Sequence, residues 1–252
     1  MLDSYLMCGT PRTGSTLLCG LLASTGVAGH PESYFRRQDA ASYARRWGIP
    51  AAPDGGSRYA DYVRAAIEAG RTRNGVFAAR IMWGTMDELT GRLRAACPGL
   101  PGRDADLLST VFGQTSYVYL WRDDVVRQAV SWLRAEQTGF WHDTGGPGEA
   151  QASCREPRYD GAEISALVGT IREHDQAWRD WFAAQGVQPY PVRYEELDAD
   201  PAAVTREILG FLGLEPAAGY AVTAPNRRLA DDLTEEWVAR YRASVRTGSG
   251  DA

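Results

Sequence analysis

A chain of 252 residues with 23% charged side chains and a formal net charge of −5 can bury a substantial core, but it offers little to nucleic acid or to an anionic membrane. All 27 of its basic residues are arginine, which excludes any chemistry that needs a lysine, such as a P-loop cation or a Schiff base. Its cysteines (Cys8, Cys19, Cys97, Cys154) show neither a CxxC nor a zinc-type spacing and its three histidines are scattered, so no metal site is expected. No leader-like N-terminus and no apolar run long enough for a membrane helix is visible, so no membrane span and a reducing, cytoplasmic location are expected.

In chain order, the first element is a strand at Tyr5–Gly9. The turn Thr10-Pro11-Arg12-Thr13-Gly14 follows, then a helix at Ser15–Ser24. A strand that runs through a glycine-bearing loop into a helix N-terminus is a phosphate cradle. Gly9 and Gly14 have the spacing of the nucleotide P-loop, but Ser15 stands where its lysine would be, and the loop's cation is Arg12. Such a loop suits an anion other than the phosphates of ATP or GTP. A short strand at Val27–His30 would bring His30, Pro31, Glu32 and Ser33 to the same rim. Helices are expected over Asp39–Trp47 and Arg58–Ala69, a strand over Val76–Trp83, and a helix over Met86–Ala96. The strand Tyr117–Trp121 leads into a helix over Asp123–Thr138. Helices at Ala162–Gln185 and Ala202–Leu212 flank a last strand at Pro189–Val192. Turn-rich stretches at Ala51–Ser57 and Gly145–Arg158 read as surface loops.

Alternating strands and helices imply an α/β fold that is P-loop-like and three-layered: one domain over residues 1–252, with a mostly parallel central sheet and helices on both faces. Ligands collect beyond the carboxyl ends of such strands. The segments to inspect are therefore Thr10–Thr16, Trp83–Thr85, Arg122–Asp124 and Arg193–Glu196. Arg122-Asp123-Asp124 superficially resembles a Walker B end, yet the arginine comes first and the acids suit a helix N-cap. Arg122 makes a second anion site. Two anion sites without metal ligands suggest a nucleotide with phosphate at both ends.

Thr10–Leu18 (TPRTGSTLL) resembles the 5′-phosphosulfate loop of sulfotransferases, and Arg122–Ser131 (RDDVVRQAVS) resembles their 3′-phosphate motif. More closely, the chain resembles bacterial carbohydrate sulfotransferases of the trehalose 2-sulfotransferase type. That similarity runs through Thr25–Pro31 (TGVAGHP), Gly75–Trp83 (GVFAARIMW), Gln128–Thr138 (QAVSWLRAEQT), Trp178–Phe182 (WRDWF) and Glu236–Arg242 (EWVARYR). The resemblance implies 3′-phosphoadenosine 5′-phosphosulfate (PAPS) as donor, no metal, a carbohydrate or glycolipid acceptor, and a homodimer. It puts Arg12, Thr13, Gly14, Ser15 and Thr16 on the 5′-phosphosulfate, Arg122 and Ser131 on the 3′-phosphate, and Asn226 and Arg227 over the nucleotide. Arg122 and Ser131 are nine positions apart, about 13.5 Å along an unbroken helix, so the arginine has to lean to share one phosphate.

Arg12 is the expected catalytic cation: it keeps its proton, so it stabilises the leaving oxygen without protonating it. Relatives of this type carry a glutamate two residues after the proline that matches Pro31. Here that position is Ser33, and Glu32 is the expected base, with His30 second. His30, Ser33, Arg80 and Trp83 are expected acceptor contacts, as is His142, and Tyr34, Phe35, Phe140 and Trp141 are rim aromatics. The alternatives are a nucleotide-binding homologue with altered catalysis and a P-loop NTPase or kinase. The missing lysine counts against the latter.

Overall fold

The computed structural model describes residues 2–49, 57–97, 99, 102–141, 156–216 and 232–248. Four strands, β1 (Ser4–Gly9), β2 (Phe77–Met82), β3 (Thr115–Trp121) and β4 (Tyr190–Arg193), pair in parallel in the order β2-β1-β3-β4. The phosphate loop therefore leaves an interior strand, in register with the ends of both neighbours: Gly9 pairs with Met82 on one side and Leu120 on the other.

Every residue of β1 is buried, and its period-2 alternation feeds two cores. Leu6 and Cys8 join Phe77, Ala79, Ile81, Tyr117 and Tyr119 on one face. That face is covered by α3 (Ser57–Gly70), α4 (Trp83–Ala96), α5 (Asp104–Phe112) and α7 (Gly161–Gln185), with α2 (Arg37–Arg46) at its margin. Tyr5 and Met7 join Val118, Leu120 and Val192 on the other face, against α1 (Ser15–Ser24), α8 (Tyr194–Ala199) and α9 (Pro201–Leu212). A third cluster ties α6 (Val125–Thr138) to α7 and to α10 (Asp232–Gly248). Helix, sheet and helix form the three layers expected.

Three expectations change. Val27–His30 is not a strand: Gly26 and Gly29 adopt φ of 70° and 67°, which breaks an extended run. The chain touches the sheet edge just beyond that stretch, where Glu32 bridges to Ala79. β2 stops at Met82, and Trp83 already begins α4. α6 begins at Val125, capped by the Asp124 carboxylate, which accepts the Arg127 N–H. Arg122 thus lies ahead of the helix rather than on it, and the axial separation from Ser131 inferred for an unbroken helix does not apply. Three short or peripheral helices, α5, α8 and α10, were not legible as elements. Among the described residues no helix is long and apolar enough to cross a membrane.

Candidate active site

The loop after β1 is gripped from behind by two helices. From α7, the Trp178 indole donates to the Gly9 carbonyl (3.0 Å). From α6, Gln128 Nε2 donates to both Thr10 Oγ1 and the Pro11 carbonyl (2.8 Å each). Thr10 in turn donates to the Asp175 carboxylate (3.5 Å), and Thr13 Oγ1 closes the turn on the Thr10 carbonyl (2.9 Å). Thus held, the loop keeps Arg12 at φ 68°, the sole non-glycine with positive φ among the described residues. Such strain persists where surrounding contacts over-determine it. Gly14 caps α1 at φ 80°, and a Cβ there would stand 2.7 Å from the Tyr194 ring, so both conformation and space demand glycine.

A cavity of about 670 Å³ opens over the loop. Arg12, Gly14, Ser15, Thr16, Ser33, Arg80, Arg122 and Ser131 all line it, so most of the residues expected from the sequence meet there. Arg12 Nε donates to Ser131 Oγ (3.0 Å), and its Nη1 donates to the Trp141 carbonyl. Arg122 is 7% exposed and stacks 4.2 Å over the Tyr194 ring. Its Nη1 reaches the Arg12 carbonyl (3.5 Å), while its buried Nε has no partner. Burial and the neighbouring Arg122 push the Arg12 guanidinium down to about 10, still fully charged at neutral pH. Burial also lowers Arg122. Neither arginine has an ion-pair partner among the described residues. Two desolvated, mutually repelling cations at a helix N-terminus call for an external anion.

Across the cavity, Arg80 on β2 donates Nε to Ser33 Oγ and Nη1 to Thr16 Oγ1, both at 2.9 Å. It thereby bridges the segment before α2 to the first turn of α1. Glu88, on the same face of α4 as Thr85, lines the cavity and pairs with Arg92 (2.8 Å).

Several expected residues are not brought to the cavity wall. Glu32 is exposed, and its carboxylate accepts from the Tyr43 hydroxyl (2.7 Å). It lies next to Ser33, and neighbouring residues of an extended segment face opposite ways. His30 is exposed outside the lining. The Thr13 side chain is fully buried under the loop, which leaves only its backbone to face a ligand. Trp83 is half-buried and packs edge-on against the core residue Trp178 (5.1 Å), and Tyr34 and Phe35 are core residues. Of the expected rim aromatics, Trp141 lines the cavity. His142, Asn226 and Arg227 fall outside the described residues. Sequence reasoning missed Gln128, Trp132 and Tyr194; the rule that sites follow strand ends pointed to the β4 terminus where Tyr194 sits. Glu195, in the segment that follows β4, accepts from the backbone N–H groups of Asp123 and Asp124 (3.3 and 3.4 Å). No group of three His, Cys, Asp or Glu suited to a metal occurs among the described residues.

Asp175 supplies a pH-dependent prediction. Burial raises its carboxyl from an ordinary 3.8 to about 6, against the opposing pull of Arg179 and its hydrogen bonds. Between these values the folded protein binds the extra proton, so this group's contribution to stability falls as pH rises through that window. Asp175→Asn keeps an acceptor for Thr10 and removes the charge. Its stability relative to wild type should therefore improve by on the order of 2 kcal/mol from pH 4 to pH 7, read by denaturant unfolding at both. A difference that is constant with pH would mean the carboxyl titrates ordinarily.

A parallel sheet whose interior strand delivers a glycine-bearing loop, faced by the half-buried Arg12 and the buried Arg122, defines an α/β protein with an arginine-lined cavity over that loop. The family model for Stf0 sulphotransferase matches residues 4–244, and the chain belongs to that family; it is an enzyme, a sulfotransferase. It is 32% identical over 266 aligned residues to the trehalose 2-sulfotransferase of Mycobacterium tuberculosis, covering 96% of this chain and 95% of that protein. It is likewise 32% identical over 264 residues to the trehalose 2-sulfotransferase of Mycolicibacterium smegmatis, covering 95% and 94%. A crystal structure of a sulfotransferase from Alicyclobacillus acidocaldarius is a distant likeness, at 14% identity and a TM-score of 0.44 over 98% of this chain and 93% of that one.

Proposed function

We propose that this sulfotransferase acts as one domain over residues 1–252 and moves a sulfuryl group from PAPS to a hydroxyl of a carbohydrate or glycolipid. The observation that carries the donor assignment is the pair Arg12, half-buried, and Arg122, buried, which line one cavity with no ion-pair partner among the described residues, in a chain with no lysine. Family membership and the trehalose 2-sulfotransferase relatives support the acceptor class. The Thr13–Thr16 backbone and the Ser15 and Thr16 hydroxyls hold the 5′-phosphosulfate. Arg122 and Ser131 hold the 3′-phosphate, with Asn226 and Arg227 over the nucleotide as the family resemblance implies.

In the reaction the acceptor oxygen forms a bond to sulfur as the sulfur–oxygen bond to the 5′-phosphate breaks. The hydroxyl proton passes to a base, and the products are a sulfate ester and adenosine 3′,5′-bisphosphate. Arg12 and the α1 N-terminus meet the charge that grows on the departing phosphate. For the base, Glu88 is better situated than Glu32: it shares the cavity wall with Ser33, Arg80 and Thr85, whereas Glu32 is tied to Tyr43.

Thermal unfolding tests the donor assignment. At 100-fold excess over Kd, adenosine 3′,5′-bisphosphate should add about 2.7 kcal/mol. For a chain of this size that is a midpoint rise of about 5–10 °C, with AMP and ATP–Mg²⁺ giving much less. A shift with ATP–Mg²⁺ alone would favour an NTPase.

A further inference from the structure

On the acceptor side the charges do not balance. Five charged side chains border or abut this part of the wall besides Arg80: Arg36, Arg37, Glu88, and the two partners Asp39 and Arg92. Glu88 is matched by Arg92 (2.8 Å) and Arg36 by Asp39 (3.6 Å). Arg36 also lies 6.0 Å over the Trp141 ring. Arg37 and Arg80 remain. Arg80 spends two donors on the neutral oxygens of Ser33 and Thr16, and no carboxylate pairs with it among the described residues. Arg37 is exposed at the start of α2 with no partner among the described residues, and α2 has no side-chain cap at its N-terminus.

A neutral sugar seated here would desolvate the Arg80 guanidinium without answering its charge, a penalty that an anion removes. Planar guanidinium groups match carboxylate and phosphate oxygens in pairs. We infer that the acceptor carries its own anionic group, a carboxylate or a phosphate, near the hydroxyl that is sulfated, and that Arg37 and Arg80 bind it. This rests on the sulfotransferase reading above.

The test begins with protein saturated with adenosine 3′,5′-bisphosphate, so that Arg12 and Arg122 are already occupied; failure of the bisphosphate to bind would overturn the donor assignment itself. Calorimetric titration then compares glucose, glucuronate and glucose 6-phosphate. At least one of the anionic sugars should bind about tenfold or more tightly than glucose, and that advantage should shrink severalfold between about 50 mM and about 300 mM salt. Which anion wins separates a carboxylate from a phosphate acceptor. Arg37→Gln, at an exposed position that the fold does not depend on, should abolish most of the advantage and leave bisphosphate affinity unchanged; Arg80→Gln should do the same to the advantage. Glucose binding as tightly as both anions, an advantage that survives both substitutions, or no binding by any of the three sugars would each overturn the inference.

Discussion

Arg122→Ala is expected to weaken binding of adenosine 3′,5′-bisphosphate by about 2–5 kcal/mol, the loss seen when one partner of a desolvated charge pair is removed. At about 1.4 kcal/mol per factor of ten that is roughly 30- to several thousand-fold in Kd. The size follows from the surroundings. Arg122 is buried, its plane is fixed on Tyr194 and its Nε points at no protein acceptor, so both its charge and its orientation are prepared for a ligand. The same features predict the opposite sign without ligand. Removing an unpaired buried cation beside Arg12 relieves repulsion, so the ligand-free variant should unfold no earlier than wild type. Titration calorimetry and thermal unfolding together decide the matter. Unchanged affinity would take Arg122 out of the donor site, and a large loss of stability with affinity intact would make it structural. Arg122→Lys should rescue little, because an ammonium cannot reproduce the stacked planar fork.

The second large effect concerns the proton. Glu88→Gln should lower kcat by about 10²–10⁴-fold, the usual contribution of a general base, with bisphosphate affinity held. Glu32→Gln should change kcat little, since its carboxylate is engaged by Tyr43 on the outside of the segment. Single-turnover rates with saturating donor and acceptor separate the two. Full activity in Glu88→Gln with loss in Glu32→Gln would return the base to Glu32 and require that segment to rearrange when substrates bind. A pH–rate profile adds an independent reading, because the acidic limb should vanish in the variant that has lost the base.

The sequence displays the donor half of the site far better than the acceptor half, and the reason is physical. The residues proposed for the donor are mostly adjacent in the chain because one strand–loop–helix unit presents them, and its period-2 strand and Gly9…Gly14 spacing are local signals. The helix Ser15–Ser24 is legible to the residue. Arg122 follows from the rule about strand ends. The acceptor wall has no such unit. It is assembled from the segment before α2, from β2 and from α4, and which of two neighbours faces inward depends on one bridge between Glu32 and the sheet edge. That single register turns Ser33 in and Glu32 out. Trp83 illustrates the same limit: a large aromatic at a strand end reads as a ligand platform, but the immediate start of α4 turns it against the core residue Trp178. The grip of Gln128 and Trp178 on the loop spans more than a hundred residues of sequence, a separation that no local pattern reports.

If the donor meets Thr16 and the acceptor meets Ser33 as proposed, the Arg80 bridge between those two hydroxyls is expected to couple the binding of the two substrates. Any rearrangement of Thr16 around a donor is felt at Ser33 through one rigid guanidinium, and any rearrangement of Ser33 around an acceptor travels back along it. Thermodynamic linkage then imposes reciprocity: the factor by which the donor changes affinity for the acceptor equals the factor by which the acceptor changes affinity for the donor. Substituting Arg80 should therefore do more than weaken one ligand; it should bring that shared factor towards unity.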